Sequence, residues 1–107
     1  MKIKPAQAAE RAEQASQLLK ALANPHRLRI ACQLAEAEET VGALAALLGL
    51  RETAVSQHLA VMRRERLVAA HRNGQSVRYA LTSGAVREVI EALARGLCLE
   101  DAQFERR

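Results

Sequence analysis

The chain has 107 residues, with 16 Lys and Arg against 12 Asp and Glu, a net charge of +4 and a pI near 9.7. A single domain burying roughly 60–65% of its unfolded surface is what this length supports, so two domains are excluded and an acidic partner, nucleic acid or anionic lipid, is favoured. Aromatic residues make up 2%, a lone Tyr79, a lone Phe104 and no Trp, which leaves almost nothing for unpaired bases to stack on and excludes a single-strand or RNA platform.

From about residue 6 to residue 23 the sequence is rich in Ala, Gln, Glu and Leu, good helix formers that predict a first helix. Asn24-Pro25 then reads as an N-cap with proline at the first helical position, where its missing N–H costs nothing. The second helix is expected to run to about Ala37. Leu28, Ala31, Cys32 and Ala35 follow the helical apolar repeat, with Ile30 and Leu34 as a second stripe. Thr40 caps a short third helix over Val41–Leu48, which Gly49 stops.

A short connection leads to a fourth helix over about residues 52–66, and the pair has the proportions of a helix-turn-helix. Val55, Leu59 and Met62 form its apolar stripe, and the opposite face carries Thr53, Ser56, Gln57, Ala60 and Arg64. That face is small and polar first and basic last, as a recognition helix needs: short side chains for base edges, then arginines for phosphates. After Leu67 the period changes to that of two strands around Asn73-Gly74, a hairpin over about residues 67–81 with Arg72, Asn73, Gln75 and Arg78 at its tip. A basic hairpin placed there is a wing, able to reach a flanking minor groove or the backbone. Thr82 or Ser83 caps a final helix over about residues 83–99, with Val86, Val89, Ile90, Leu93 and Leu97 as its apolar stripe.

The expected fold is therefore mainly α with a β-hairpin wing, a winged helix-turn-helix of order ααααββα filling residues 1–107 as one domain. With 22 alanines the core has little bulk, so the first and last helices are expected to pack across a two-fold interface as a homodimer. Such a dimer presents two recognition helices to pseudo-palindromic double-stranded DNA, about one helical turn or a multiple apart. The charge agrees with this division. Arg51, Arg63, Arg64, Arg66, Arg72 and Arg78 against Glu52 and Glu65 account for the whole excess, and the rest of the chain is balanced.

The longest uninterrupted apolar run, residues 43–48, is far short of the roughly 20 residues that span a bilayer. The N-terminus lacks a secretory h-region, so the expected location is the cytoplasm. There Cys32 and Cys98 are poor candidates for a permanent disulfide and better ones for packing, metal binding or redox chemistry. Cys32 on an apolar stripe reads as a small core hydrophobe. His58 lies beside the buried face of the fourth helix, which favours packing or a backbone hydrogen bond, while His26 and His71 stand apart. No metal-protease spacing, Ser/His/Asp set or phosphate loop is present, so an enzyme is not expected.

From about residue 18 to residue 98 the chain resembles the ArsR/SmtB family of winged-helix bacterial repressors. The resemblance rests on Leu19 through Ile30, on Val55-Ser56-Gln57-His58-Leu59, on Arg63 through Val68, and on Arg72-Asn73-Gly74-Gln75 with Tyr79. It implies a homodimer that binds operator DNA and releases it when an inducer reaches a sensing site. Metal-sensing members often carry Cys-x-Cys on the third helix or Asp/His and His/Glu ligands on the last. Here the third helix has no cysteine and the last offers only Glu88 and Glu91, so neither metal site is present.

The cysteines on the second and last helices look like the BigR/SqrR-type branch, which senses reactive sulfur species. The resemblance implies that Cys32 and Cys98 become bridged by a disulfide or polysulfide when a persulfide, polysulfide or other thiol oxidant acts as inducer, with no cofactor. Cys98, near Arg95 and a helix end, is the expected nucleophile, and Cys32 the resolving thiol. Glu52 departs from the glutamine expected in that branch. A carboxylate there suits a helix N-terminus and accepts from cytosine N4, but it repels phosphate. Glu52, Thr53, Ser56, Gln57, Arg63, Arg64, Arg72, Asn73, Gln75 and Arg78 are the expected DNA-contacting set. Two other readings stay open: a thiolate metal sensor needing a further ligand, and a DNA-binding protein with no inducer.

Overall fold

The computed structural model describes residues 2–97 in the order α1 (Pro5–Leu22), α2 (Pro25–Glu36), α3 (Val41–Leu48), α4 (Glu52–Arg64), β1 (Val68–Asn73), β2 (Ser76–Leu81) and α5 (Gly84–Gly96). This is the expected order of a winged helix-turn-helix. Three helix starts are capped as the sequence predicts. Asn24 Oδ1 accepts from the His26 and Arg27 N–H groups at 2.9 and 3.0 Å, Thr40 Oγ1 from Ala43 at 3.1 Å, and Ser83 Oγ from Val86 at 3.3 Å. Each satisfies donors that the first helical turn leaves open. Gly49 ends α3 at φ 68°, and the Leu50 N–H closes on the Ala45 carbonyl at 3.0 Å.

The end of α4 differs from the expectation. The helix stops at Arg64 because Arg66 turns into the left-handed region at φ 62°. Its N–H then reaches the Arg63 carbonyl at 3.0 Å and the Leu67 N–H reaches that of Met62 at 2.8 Å. These are the two bonds of a Schellman cap, formed without the usual glycine. Met62 and Leu67 are both fully buried, and that burial fixes the turn.

The wing turn also shifts by one residue. Asn73 pairs with Ser76, so Gly74-Gln75 form the two-residue loop, with Gly74 at φ 68°. The Ser76 hydroxyl donates to the Asn73 carbonyl at 3.1 Å, which closes the hairpin on that register. A further short segment joins the sheet: Glu39 and Tyr79 exchange backbone hydrogen bonds of 3.1 and 2.8 Å. Nothing in the pattern of residues 37–40 announced it, since one bridge leaves no alternation to detect.

Ile30 and Leu34 of α2, Leu44 of α3, Val55, Leu59 and Met62 of α4, and Ile90 of α5 meet Leu67 and Val68 in one core. Fully burying each such side chain stabilises the fold by about 1.5–3 kcal/mol. The stripe of α5 divides in two. Val86 and Ile90 point into this core, whereas Val89 and Leu93 are each 37% exposed and Leu97 is 61% exposed. Residues 98–107, and with them Cys98, lie outside the described residues.

Candidate nucleic-acid interface and thiol site

Two constraints orient α4. Its inner stripe of Val55, Leu59 and Met62 is locked in the core, and the Arg29 guanidinium on α2 donates to the Leu48 carbonyl at 3.0 Å, holding the end of α3. The outer face is therefore exposed, with Glu52, Thr53, Ser56 and Gln57 toward the start of the helix and Arg63 and Arg64 in its last turn. Cations there complement the negative end of the helix dipole, and Glu52 complements the positive one. Glu52 Oε2 lies 3.7 Å from where a side chain on Gly42 would begin, so the carboxylate rests over the first turn of α3.

The hairpin residues do not form one patch. Arg72, Asn73 and Gln75 are exposed and Arg78 is half-buried. In the strand register His71 faces Arg78 and Arg72 faces Val77, which places the two arginines on opposite faces of the ribbon. His71 is not isolated: its Nε2 lies 2.9 Å from Glu38 Oε1, tying β1 to the segment before α3. Tyr79 belongs with this surface, although sequence reasoning used it only as a family mark. It lines a groove with Ser56, Ala60 and Arg63 of α4. Its position as the lone aromatic residue in the basic segment was the available signal.

Cys32 is half-buried and lines an open cavity of about 300 Å³ between α2 and α5, with Ala35, Glu36, Ile90, Glu91 and Ala94. Removal from water pushes its thiol pKa up, because burial penalises the thiolate. That makes Cys32 a poor attacking group. Cys98 lies four residues beyond Ala94 in sequence. Arg87 donates to the Ala35 carbonyl and so clasps α5 to the end of α2.

Among the described residues the His58 ring makes no backbone hydrogen bond. It meets the ring of His26, with centroids 5.6 Å apart. Burial first, then the charges of Arg27 and His26, lower its pKa. Among the described residues no group of three His, Cys, Asp or Glu side chains is arranged to hold a metal ion. Nor, among them, is any helix long and apolar enough to cross a membrane.

Residues 24–70, from the cap of α2 into β1, match the pattern of bacterial regulatory proteins of the arsR family. The transcriptional activator HlyU of Vibrio cholerae is 47% identical over 81 residues, covering 76% of this chain and 75% of that protein. The chain belongs to the arsR family of bacterial regulatory proteins. Three solved structures of its relatives share the architecture. Reduced HlyU from Vibrio cholerae superposes with a TM-score of 0.79 at 43% identity, covering 84% of this chain and 95% of that one. The transcriptional repressor BigR from Xylella fastidiosa gives 0.79 at 32% identity, covering 91% and 96%. The homodimeric winged helix-turn-helix DNA-binding domain of Mb0332 from Mycobacterium bovis gives 0.76 at 30% identity, covering 100% and 96%. Membership in the arsR family makes the chain a transcriptional regulator.

Proposed function

We propose that this arsR-family regulator is a cytoplasmic, homodimeric, operator-binding repressor whose Cys32 and Cys98 act as a thiol switch for persulfides, polysulfides or related oxidants. The observation that carries the DNA-binding half is the exposed face of α4, polar at its start and basic at its end, beside a hairpin with Arg72 and Arg78. Glu52, Thr53, Ser56 and Gln57 meet base edges, Arg63 and Arg64 meet phosphates, and Arg72, Asn73, Gln75 and Arg78, on the two faces and the tip of the hairpin, reach the flanking duplex from either side of the wing. HlyU is named an activator and BigR a repressor. The same DNA contacts serve either outcome, depending on where the operator lies relative to the promoter.

Leu19 on α1, Val89 and Leu93 on α5, and Leu97 at its C-cap are exposed apolar side chains on the two helices assigned to dimerisation. The Mycobacterium bovis relative is a homodimer, and the same arrangement here presents two α4 helices to a pseudo-palindrome. The half-buried Cys32 thiol beside α5 supports the switch. On bridging, the two thiols give up two protons and two electrons to the oxidant, which also supplies any inserted sulfur. Joining Cys32 on α2 to Cys98 shifts one α4 relative to the other. A coupling of about 1–3 kcal/mol, about 5- to 150-fold in affinity, suffices for regulation.

Two measurements test this. Polysulfide-treated protein should show a Cys32–Cys98 crosslink with added sulfur by mass spectrometry. Cys98→Ser protein should bind operator duplex yet ignore a persulfide donor; normal release by that variant refutes the switch. Stoichiometric metal uptake under strict reduction would favour a thiolate metal sensor instead.

A further inference from the structure

A groove of about 340 Å³ runs between α4 and β2, lined by Ser56, Leu59, Ala60, Arg63, Arg64 and Tyr79. Five of these come from the recognition helix, and Tyr79 alone belongs to the wing. Both backbone groups of Tyr79 are paired with Glu39, so the ring is set on a fixed strand rather than on a mobile loop. Among the described residues no acidic side chain lines the groove.

Among the described residues every polar side chain on its walls is uncommitted. Ser56, Arg63 and Arg64 are exposed, and among the described residues none of them takes part in a side-chain hydrogen bond or ion pair. The Tyr79 hydroxyl likewise has no protein partner there. Among the described residues no buried side-chain oxygen lacks a partner, so the phenol oxygen of the half-buried ring reaches solvent. Two guanidinium groups and two hydroxyls thus border an apolar floor of Leu59 and Ala60. A group with several acceptor oxygens and a negative charge satisfies such a donor set, and a backbone phosphate is the group a duplex presents beside a helix in its major groove.

Resting on the DNA-binding reading above, we propose that this groove seats one phosphodiester of the bound duplex and that Tyr79 is the positioning residue that donates a hydrogen bond to it. Charge and position are then divided between residues. Arg63 and Arg64 supply attraction that salt weakens. Tyr79 is neutral, holds one phosphate between wing and recognition helix, and so fixes how deeply α4 enters the groove.

That division gives Tyr79 a signature which a merely structural residue or a salt-dependent cation does not share. Replacing it by Phe keeps the ring and removes the donor. Tyr79→Phe should weaken duplex binding by about 5- to 20-fold. The loss should be equal on operator and unrelated duplexes, with the slope of log affinity against log salt unchanged and thermal melting as in the parent protein. Arg63→Ala should instead lower that slope by about 1. Because Tyr79 is the sole tyrosine, uniform 3-fluorotyrosine labelling gives a single ¹⁹F resonance. It should move when duplex is added and stay put with inorganic phosphate at the same phosphate concentration.

Parental affinity in Tyr79→Phe, a loss confined to certain sequences, a changed salt slope, or an unmoved resonance on duplex binding each overturns the assignment. Movement with inorganic phosphate alone also overturns it, since the groove would then be a free-anion site. If the parent protein binds no duplex at all, the DNA-binding reading itself fails.

Discussion

The Thr82 hydroxyl donates to the Arg66 carbonyl at 2.6 Å, and the Thr82 N–H donates to the Leu67 carbonyl at 3.0 Å. The residues just after α4 are thereby strapped to the residue just before the cap of α5. Arg66 holds its left-handed φ of 62° within this strap. A left-handed conformation costs a residue with a side chain about 1–2 kcal/mol. Arg66→Gly relieves that cost and gives part of it back as chain entropy, for a net gain of a few tenths to about 1 kcal/mol. Thr82→Val removes the hydroxyl bond and should cost about 1 kcal/mol. Urea midpoints shifting in opposite directions in the two variants would check both.

His58 makes stability depend on pH. Its folded pKa is lowered by burial and by the charges of Arg27 and His26. Above the unfolded value of about 6.5 both states hold the ring neutral and nothing is lost. As the pH falls through that value the unfolded chain takes the proton first, so the folded state loses stability until the pH passes below the lowered folded value. The urea midpoint should therefore drop more between pH 7.5 and 5.5 in the parent protein than in His58→Gln. Equal drops would show that the ring pair has no such effect.

Burial of Cys32 bears on its reactivity. Because its pKa is raised, little thiolate is present near neutral pH. In Cys98→Ser protein, which leaves Cys32 as the sole cysteine, iodoacetamide should react more slowly at pH 7.5 than with a free cysteine peptide. The rate should keep climbing above the pH at which the peptide's rate levels off. Peptide-like kinetics would remove the reason for casting Cys32 as the resolving thiol.

Leu93 tests the dimer face without touching the core. It is 37% exposed on α5, while Ile90, three residues earlier, is 1% exposed. Leu93→Glu places a charge on a surface assigned to the two-fold contact and should yield monomer by sedimentation with helical content retained. Ile90→Ala instead opens a core cavity and should cost about 2–5 kcal/mol of folding stability. A dimeric Leu93→Glu protein would move the interface elsewhere.

The division between what was legible and what was not follows from range. Asn24, Thr40, Gly49 and Ser83 announced helix boundaries because capping is decided within four residues. The outward face of α4 was legible because Val55, Leu59 and Met62 fix the inward one through helical periodicity. Arg66 concealed the end of α4, since that turn depends on burying Leu67 rather than on a glycine.

The sequence by itself determined the family, the element order, the outward face of α4 and the confinement of excess charge to residues 51–80. These are local or periodic properties, written in neighbouring side chains. Only the tertiary structure decided that Val86 and Ile90 of α5 turn inward while Val89, Leu93 and Leu97 stay exposed. It alone joined Glu39 to Tyr79, His26 to His58, and Tyr79 to the arginines of α4. Those pairings bring together residues 15 to 40 positions apart, and packing of the whole core, not any local preference, sets their distances.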